Sequence, residues 1–337
     1  MYGISGTISS TLRRLALAGA LLLCALGATA QTDAQFSQYY EIPSFYNPAA
    51  IGLTDNLRIR GGARMQWVGI DNAPTTFAGV ADMPLKLFGK RIGVGLMLDQ
   101  ESQGLYKSLN IDAQLAYKFR KLKGEWTIGL GIGLYDQAFK GSKVFIPDDD
   151  DYHEGTDQGI PTTDIHGTGL DLQAGIWYQH RLFYAGLGAT HLNSPTVSMT
   201  AEGASGGSDN TERKYTFTAR RTLYFTGGCN IPINNTLFDI LPSVLVKSDF
   251  TFTTAEINAR LRYRKMFTFG VGYRWKDAII ASLSAEIKNF FIGYSYDYAT
   301  TAINRASSGS HEIFVGYSLK LDLGEKNRNR HKSVRLM

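Results

Sequence analysis

Residues 35–67 read QFSQYYEIPSFYNPAAIGLTDNLRIRGGARMQW, and the two halves of this stretch ask for different structures. Residues 35–52 are aromatic and polar, are broken by Pro43 and Pro48, and follow neither a helical nor a strand period. From Leu57 the chain alternates. Leu57, Ile59, Gly61, Ala63, Met65 and Trp67 fall on one face, and Arg58, Arg60, Gly62, Arg64 and Gln66 on the other. A soluble sheet with core on one side and water on the other rarely sets three arginines in so regular a row. A strand between lipid and a polar lumen can do so, because its side chains alternate between two very different solvents. The stretch therefore predicts an ordered, non-strand leader that delivers the chain into the first strand of a membrane barrel.

Outward from there, the chain opens with Arg13-Arg14, an apolar run over 15–26 and Ala28-Thr29-Ala30, the layout of a secretory signal peptide cut after Ala30. The run is shorter than the ~20 residues of a spanning helix, and Leu23 is too bulky before Cys24 for a lipoprotein signal. Cleavage leaves Cys229 as the one remaining cysteine, so no intramolecular disulfide is expected. The organisation read from the sequence is a signal peptide at 1–30, a plug-like leader at 31–55, an outer-membrane barrel at 56–323 and a basic periplasmic tail at 324–337.

Candidate strands lie at 56–67, 75–83, 92–100, 105–119, 126–139, 167–178, 182–190, 215–229, 237–246, 255–263, 267–275, 279–287, 290–298 and 311–323. The fold class is thus all-β, a transmembrane antiparallel barrel of about 14 strands, an even number as in single-chain bacterial barrels. Most strands reach the roughly 9–11 residues a tilted membrane strand needs. In the cleanest, Leu109, Ile111, Ala113, Leu115 and Tyr117 face lipid while Ser108, Asn110, Asp112 and Gln114 face inward. Trp67, Trp126, Trp177, Tyr178 and Trp275 sit near strand ends, where an interfacial girdle is expected. The abundance of glycine (36) against few prolines (9) suits one barrel better than two globular domains. A sandwich would not need so many inward charges, and no solenoid period is visible.

Connections sort by parity. One set is short and mostly basic and supplies a candidate docking rim: Lys86, Lys90, Arg91, Arg120, Lys121, Lys123, Arg264 and Lys265. The other includes long loops at 141–166, 192–212 and 299–310. Short periplasmic turns and long external loops are the usual arrangement. The basic collar reads either as ordinary solvated turn charge or as a partner surface.

Inward charges of both signs supply a candidate lumen network: Arg58, Arg60, Arg64, Asp82, Glu256, Arg260, Arg262 and Asp297. Mixed signs predict internal pairing around a plug rather than a single-sign selectivity ring. The plug or partner segment is carried by Phe36, Tyr39, Tyr40, Pro43, Phe45, Tyr46, Asn47 and Pro48, too apolar for a free tail and rich in turn formers. No catalytic constellation is expected, since the histidines lie in loops, turns or strand ends and Ser307–His311 reads as a turn. Asp148, Asp149, Asp150 and Asp151 lack the spacing of a calcium loop. No cofactor, metal or nucleic-acid motif is found.

The leader QFSQYYEIPSFYNPAAIG with the following RMQW strand, and the ending SYDYATTAINRASSGSHEIFVGYSLKL, resemble the PorP/SprF family of type IX secretion membrane proteins over residues 35–323. The resemblance implies a non-enzymatic outer-membrane barrel of Bacteroidetes-type bacteria. Its partners would be outer-membrane lipid and either periplasmic ring components of the secretion machine or a secreted adhesin or cargo protein, with surface display and gliding as associated roles. A passive porin for small solutes is the competing expectation.

Overall fold

The computed structural model describes residues 33–87, 89–144, 161, 163–201 and 213–322. The expected signal peptide, Asp148 to Asp151 and the basic tail lie outside them. The strands are β1 (Asn56–Met65), β2 (Thr75–Leu87), β3 (Lys90–Gln103), β4 (Tyr106–Lys121), β5 (Gly124–Lys140), β6 (Asp164–Gln179), β7 (Phe183–Thr190), β8 (Thr196–Ala201), β9 (Arg213–Thr218), β10 (Thr222–Cys229), β11 (Ile231–Pro232), β12 (Phe238–Ser248), β13 (Thr253–Tyr263), β14 (Phe267–Arg274), β15 (Ala278–Ile287), β16 (Phe290–Ala299) and β17 (Ser310–Lys320). Set apart β8–β9, a separate hairpin, and β11, a two-residue pairing on β12, and 14 strands close an antiparallel barrel. The ring shuts where β1 pairs β17, from Asn56↔Lys320 to Met65↔His311.

The alternation read from the sequence is what closes it. On β4, Asn110, Asp112 and Gln114 are buried while Ile111, Leu115 and Tyr117 are exposed. Leu96, Leu130, Val271 and Ile292 continue the bare apolar band around the outside, a surface only lipid can cover. Among the described residues no helix is long and apolar enough to cross a membrane; the crossings are made by strands.

The interior is filled by the leader. Asn47-Pro48 shows how its sequence sets its shape. The Asn47 side chain caps a short 3-10 turn, Pro48–Ala50, by accepting from the Ala49 amide at 2.9 Å, and Pro48 sits at the first helical position, where its missing N–H costs nothing. Pro43 opens a single α-turn, Pro43–Tyr46, in the same way. The resulting compact segment runs the length of the lumen. Asp33 meets Thr190 and Lys247 at the ends of β7 and β12. Ser44 O accepts from Gln114 at mid-barrel. Near the short-turn end, the Gly52 amide donates to Asp82 and Leu53 O accepts from Lys118. Phe36, Tyr39, Ile42, Phe45 and Tyr46 form the core with wall residues Val80, Met97, Tyr224, Leu245 and Phe314. Two wall glycines make the fit possible. A Cβ at Gly129 would overlap Pro48 and the Ala49 amide, and one at Gly188 would overlap the Tyr46 carbonyl.

Three expectations are corrected. The segment 215–229 is not one strand: β9 ends at Thr218 and the barrel strand β10 starts at Thr222. Consecutive Arg220 and Arg221 interrupt the alternation there, and β9 turns back to pair with β8 inside what was read as a loop. Trp177 is not in a lipid girdle. It points inward, buried against Ala49 and Ala50 and stacked on Tyr184 at 5.1 Å between centroids. Finally, β17 ends at Lys320, short of residue 323.

Because Gly129 faces leader backbone that cannot move aside as a side-chain end could, Gly129→Val should destabilise the barrel by about 1–3 kcal/mol through overpacking. Urea unfolding of the detergent-folded protein checks this. An unchanged midpoint would mean the leader does not pack against β5.

Candidate functional site

At the heart of the lumen the leader is tied to the wall by charge. The Ser37 and Gln38 amides both donate to the Glu312 carboxylate, each at 2.8 Å. The Ser37 hydroxyl donates to Asp297 at 2.7 Å and accepts from Arg64 at 3.0 Å and Arg274 at 2.8 Å. Arg64 pairs with Asp297 (2.7 Å) and Glu312 (3.2 Å), and Arg274 with Glu256 (2.8 Å) and Asp297 (3.0 Å). Gln35 donates to Glu256 at 3.1 Å. Five charged side chains, one from each of five strands, thus converge, all buried, on the leader at Gln35, Ser37 and Gln38.

The residues expected to form this network separate into three places. Arg64, Glu256 and Asp297 are in the central cluster. Arg58 pairs with Asp82 at 3.0 Å, and Arg262 with Asp239 at 2.8 Å, both toward the short-turn end. Arg60 and Arg260 are not chiefly ion-paired. The Arg60 guanidinium lies 4.6 Å from the Phe291 ring centre, with Glu41 at 3.7 Å, and that of Arg260 lies 3.4 Å over the Tyr40 ring; aromatic faces stand in for carboxylates. Of the leader aromatics, Tyr39 donates to Ser243, Tyr40 to Ser282, and Tyr46 OH accepts from the Phe36 amide. Ser37, Gln38 and Glu312 were not among the expected site residues. Nothing local in the sequence marks Ser37, whose role depends on which strands surround it.

A second tie lies at the long-loop end. Asp33 accepts from Tyr224 (2.6 Å) and Thr190 (3.0 Å), and its backbone carbonyl accepts from Lys247 Nζ (2.6 Å). His191, just beyond β7, stands between Asp171 (3.1 Å) and Asp33 (3.5 Å). Burial opposes charge on both partners, yet the His191 imidazolium, with the Tyr224 and Lys247 contacts, holds the Asp33 carboxyl well below the usual carboxylate range. Asp33 and Asp171 in turn hold His191 well above its ordinary value despite burial. The β8–β9 hairpin folds inward over this end, seating Val197 and Met199 against Tyr135 and Ile165.

The expected docking residues all lie at the opposite, short-turn end. Lys86, Lys90 and Arg91 flank the β2–β3 turn, Arg120, Lys121 and Lys123 the β4–β5 turn, and Arg264 and Lys265 the β13–β14 turn. Arg91 pairs with Asp55, Arg120 with Glu125, and Lys90 approaches the Tyr117 ring. Arg120, Lys121, Lys123, His180 and Arg181 line a basic groove between two turns. Among the described residues no group of His, Cys, Asp and Glu is arranged to hold a metal ion.

The chain belongs to the PorP/SprF family of type IX secretion system membrane proteins, whose profile matches residues 28–317. No curated protein matches the sequence. Among solved structures, the Ralstonia pickettii toluene transporter TbuX is similar at 13% identity and a TM-score of 0.51, over 83% of this chain and 93% of that one. The P. putida toluene transporter TodX follows at 10% identity and a TM-score of 0.47, over 82% and 92%. At such identity the first likeness shows the fold alone. Family and fold together make the chain an outer-membrane β-barrel protein.

Removing one member of a buried charge cluster strands the others, at a cost of about 3–5 kcal/mol, whereas an ion pair near solvent is worth about 0–1 kcal/mol. Arg274→Met should therefore lower the urea midpoint far more than Arg262→Met, whose pair lies at the lumen's edge. Equal effects would show that the central cluster does not hold the leader in place.

Proposed function

We propose that this PorP/SprF-family protein is a plugged, non-enzymatic anchor of the type IX secretion system, holding secretion-machine components or a cargo or adhesin protein at the outer membrane. The observation that carries this reading is the leader, which spans the lumen from the mouth to the short turns and is bonded to the wall at its start, middle and end. A lumen so occupied leaves the rims as the working surfaces. With short turns facing the periplasm, as in other barrels, the basic groove faces periplasmic partners. Further cations lie on the same rim. Lys123, Arg264, Lys265 and Lys288 sit in tight hairpin turns at positive φ of 52–60°, which sets these long cations at the tips of the short turns.

A passive channel is the second reading, supported by the polar lining and by a cavity at the mouth. The two separate in a planar bilayer, where a plugged anchor is silent and a channel conducts steadily. Mild-detergent purification from the native outer membrane with mass spectrometry then identifies the partner. Periplasmic ring proteins would mark a core subunit, one large adhesin a dedicated anchor, and a clean monomer would count against anchoring. The triple variant Arg120→Glu, Lys121→Glu, Lys123→Glu should weaken partner recovery about tenfold or more at 0.1 M salt, an energy of ~1.4 kcal/mol or above. The deficit should shrink toward 1 M, as the screening length falls from about 10 Å to about 3 Å. Undiminished recovery at low salt would remove the rim from the proposal.

A further inference from the structure

The mouth of the barrel holds a cavity of about 320 Å³ under the β8–β9 hairpin, distinct from the turn rim at the other end. Two carboxylates of β3, Asp99 and Glu101, face it from alternate positions of one strand. Neither has an ion-pair partner among the described residues. Asp99 is only 6% exposed, and among the described residues its sole hydrogen-bond donor is the Asn110 amide at 3.4 Å. Buried carboxylates are ordinarily paired or tightly hydrogen-bonded, because desolvating a charge without compensation is costly.

The nearby cations make their direct contacts elsewhere and reach these carboxylates only through their charge. His191 is held by Asp33 and Asp171. Lys247 donates to the Asp33 carbonyl, and Arg220 donates to Thr251 and lies 3.8 Å from Asp249. An independent observation points the same way: Asn110 Oδ1, on a side chain 8% exposed that lines the cavity, has no hydrogen-bond partner. The site therefore offers two carboxylates and an amide oxygen as acceptors, to which, among the described residues, only the Asn110 amide donates.

Around the acceptors stand aromatic faces. Tyr135 and Phe217 stack at 6.1 Å and 17°, and Tyr106 lies 6.4 Å from Phe217. A hard metal ion seeks six or more oxygens, more than these residues provide. An alkylammonium head needs about three acceptors and gains from aromatic faces beside its stem. A volume of 320 Å³ admits a single side chain and excludes a folded domain.

We propose that this mouth cavity binds an alkylammonium cation, with Asp99, Glu101 and the Asn110 carbonyl oxygen receiving the ammonium and Tyr106, Tyr135 and Phe217 flanking its stem. Such a cation comes from a lysine side chain of a polypeptide at the outer face or from a free diamine. The cavity does not depend on the short-turn groove, so the proposal stands or falls apart from partner recovery at that rim.

The test uses the full-length protein in detergent and isothermal titration with three probes: Nα-acetyl-lysine methylamide, its uncharged isostere Nα-acetyl-norleucine methylamide, and cadaverine. Saturable binding of the lysine amide and not of the norleucine amide supports a polypeptide lysine. Binding of cadaverine alone supports a free amine. In either case the double variant Asp99→Asn, Glu101→Gln should weaken binding at least tenfold. No binding of either ammonium probe, or binding indifferent to the double variant, overturns the proposal. A second readout guards against misfolding. Unpaired carboxylates kept for a ligand are a liability to the empty protein, so Asp99→Asn should raise the unfolding midpoint without ligand. A lowered midpoint would mean that Asp99 serves the fold and would also overturn the proposal.

Discussion

A sheet of 14 strands closed on itself encloses more space than its own inward side chains fill, and everything else in this molecule follows from how that space is occupied. The filler is one segment, residues 33–53, whose aromatic side chains are buried against the wall. Each aromatic removed from solvent contributes about 1.5–3 kcal/mol, so the hydrophobic gain lies with Phe36, Tyr39, Phe45 and Tyr46. The ionic cluster does something different. Buried ion pairs roughly offset their desolvation and add little net stability. Yet the Glu312 carboxylate accepts from two consecutive leader amides, and the Ser37 hydroxyl is gripped by two arginines. A leader shifted by one residue would take its two amides from Glu312 and the Ser37 hydroxyl from both arginines, leaving only the wall's own ion pairs. The aromatics hold the plug in, and the charges decide where it stops.

How much of this could be read from the chain depends on the range of the interaction. Period-two alternation is local, so the strands and their lipid faces were legible from runs such as residues 105–119. The leader was legible as a filler because Asn47-Pro48 and a cluster of aromatics ahead of the first strand fit neither a strand nor a free tail. Partners inside the lumen were not legible. Arg64 finds Asp297 across 233 residues, and Ser37 carries no mark of its own until β1, β14, β16 and β17 surround it. Signs of charge alone also did not show that Arg60, beside Glu41, lies over Phe291 or that Arg260 lies over Tyr40; the Tyr40 ring, on the leader, is there only once the leader is in place. Trp177 misled for a similar reason, since an aromatic near a strand end suits a lipid interface or a plug equally until its parity along β6 is fixed.

The β8–β9 hairpin shows a local pattern overridden by its surroundings. Residues 215–218 alternate well enough to read as the start of a barrel strand, and they do form a strand, but against β8 rather than the wall. Its partner β8 lies on the inner face of β6, where Gly167 and Gly169 leave room for Val197. The hairpin thereby folds over the mouth, stacking its own Phe217 on Tyr135 and bounding a polar recess at that end.

The leader joins the two ends of the barrel as a single chain, with Asp33 at the mouth and Leu53 beside the short turns. Continuity alone does not make it a conduit. A ligand shifts an equilibrium only through a difference in its affinity for two states, and transmission needs an element with two arrangements that both ends bias. The leader is bonded to the wall at Asp33, at Ser37 and Gln38, at Ser44 and Asn47, and at Gly52. Wall glycines such as Gly129 are matched to its backbone along the way. A sliding plug would have to break these ties together, and the central cluster makes that costly. The leader is accordingly held against the wall as one piece, a fixed filler between the two rims.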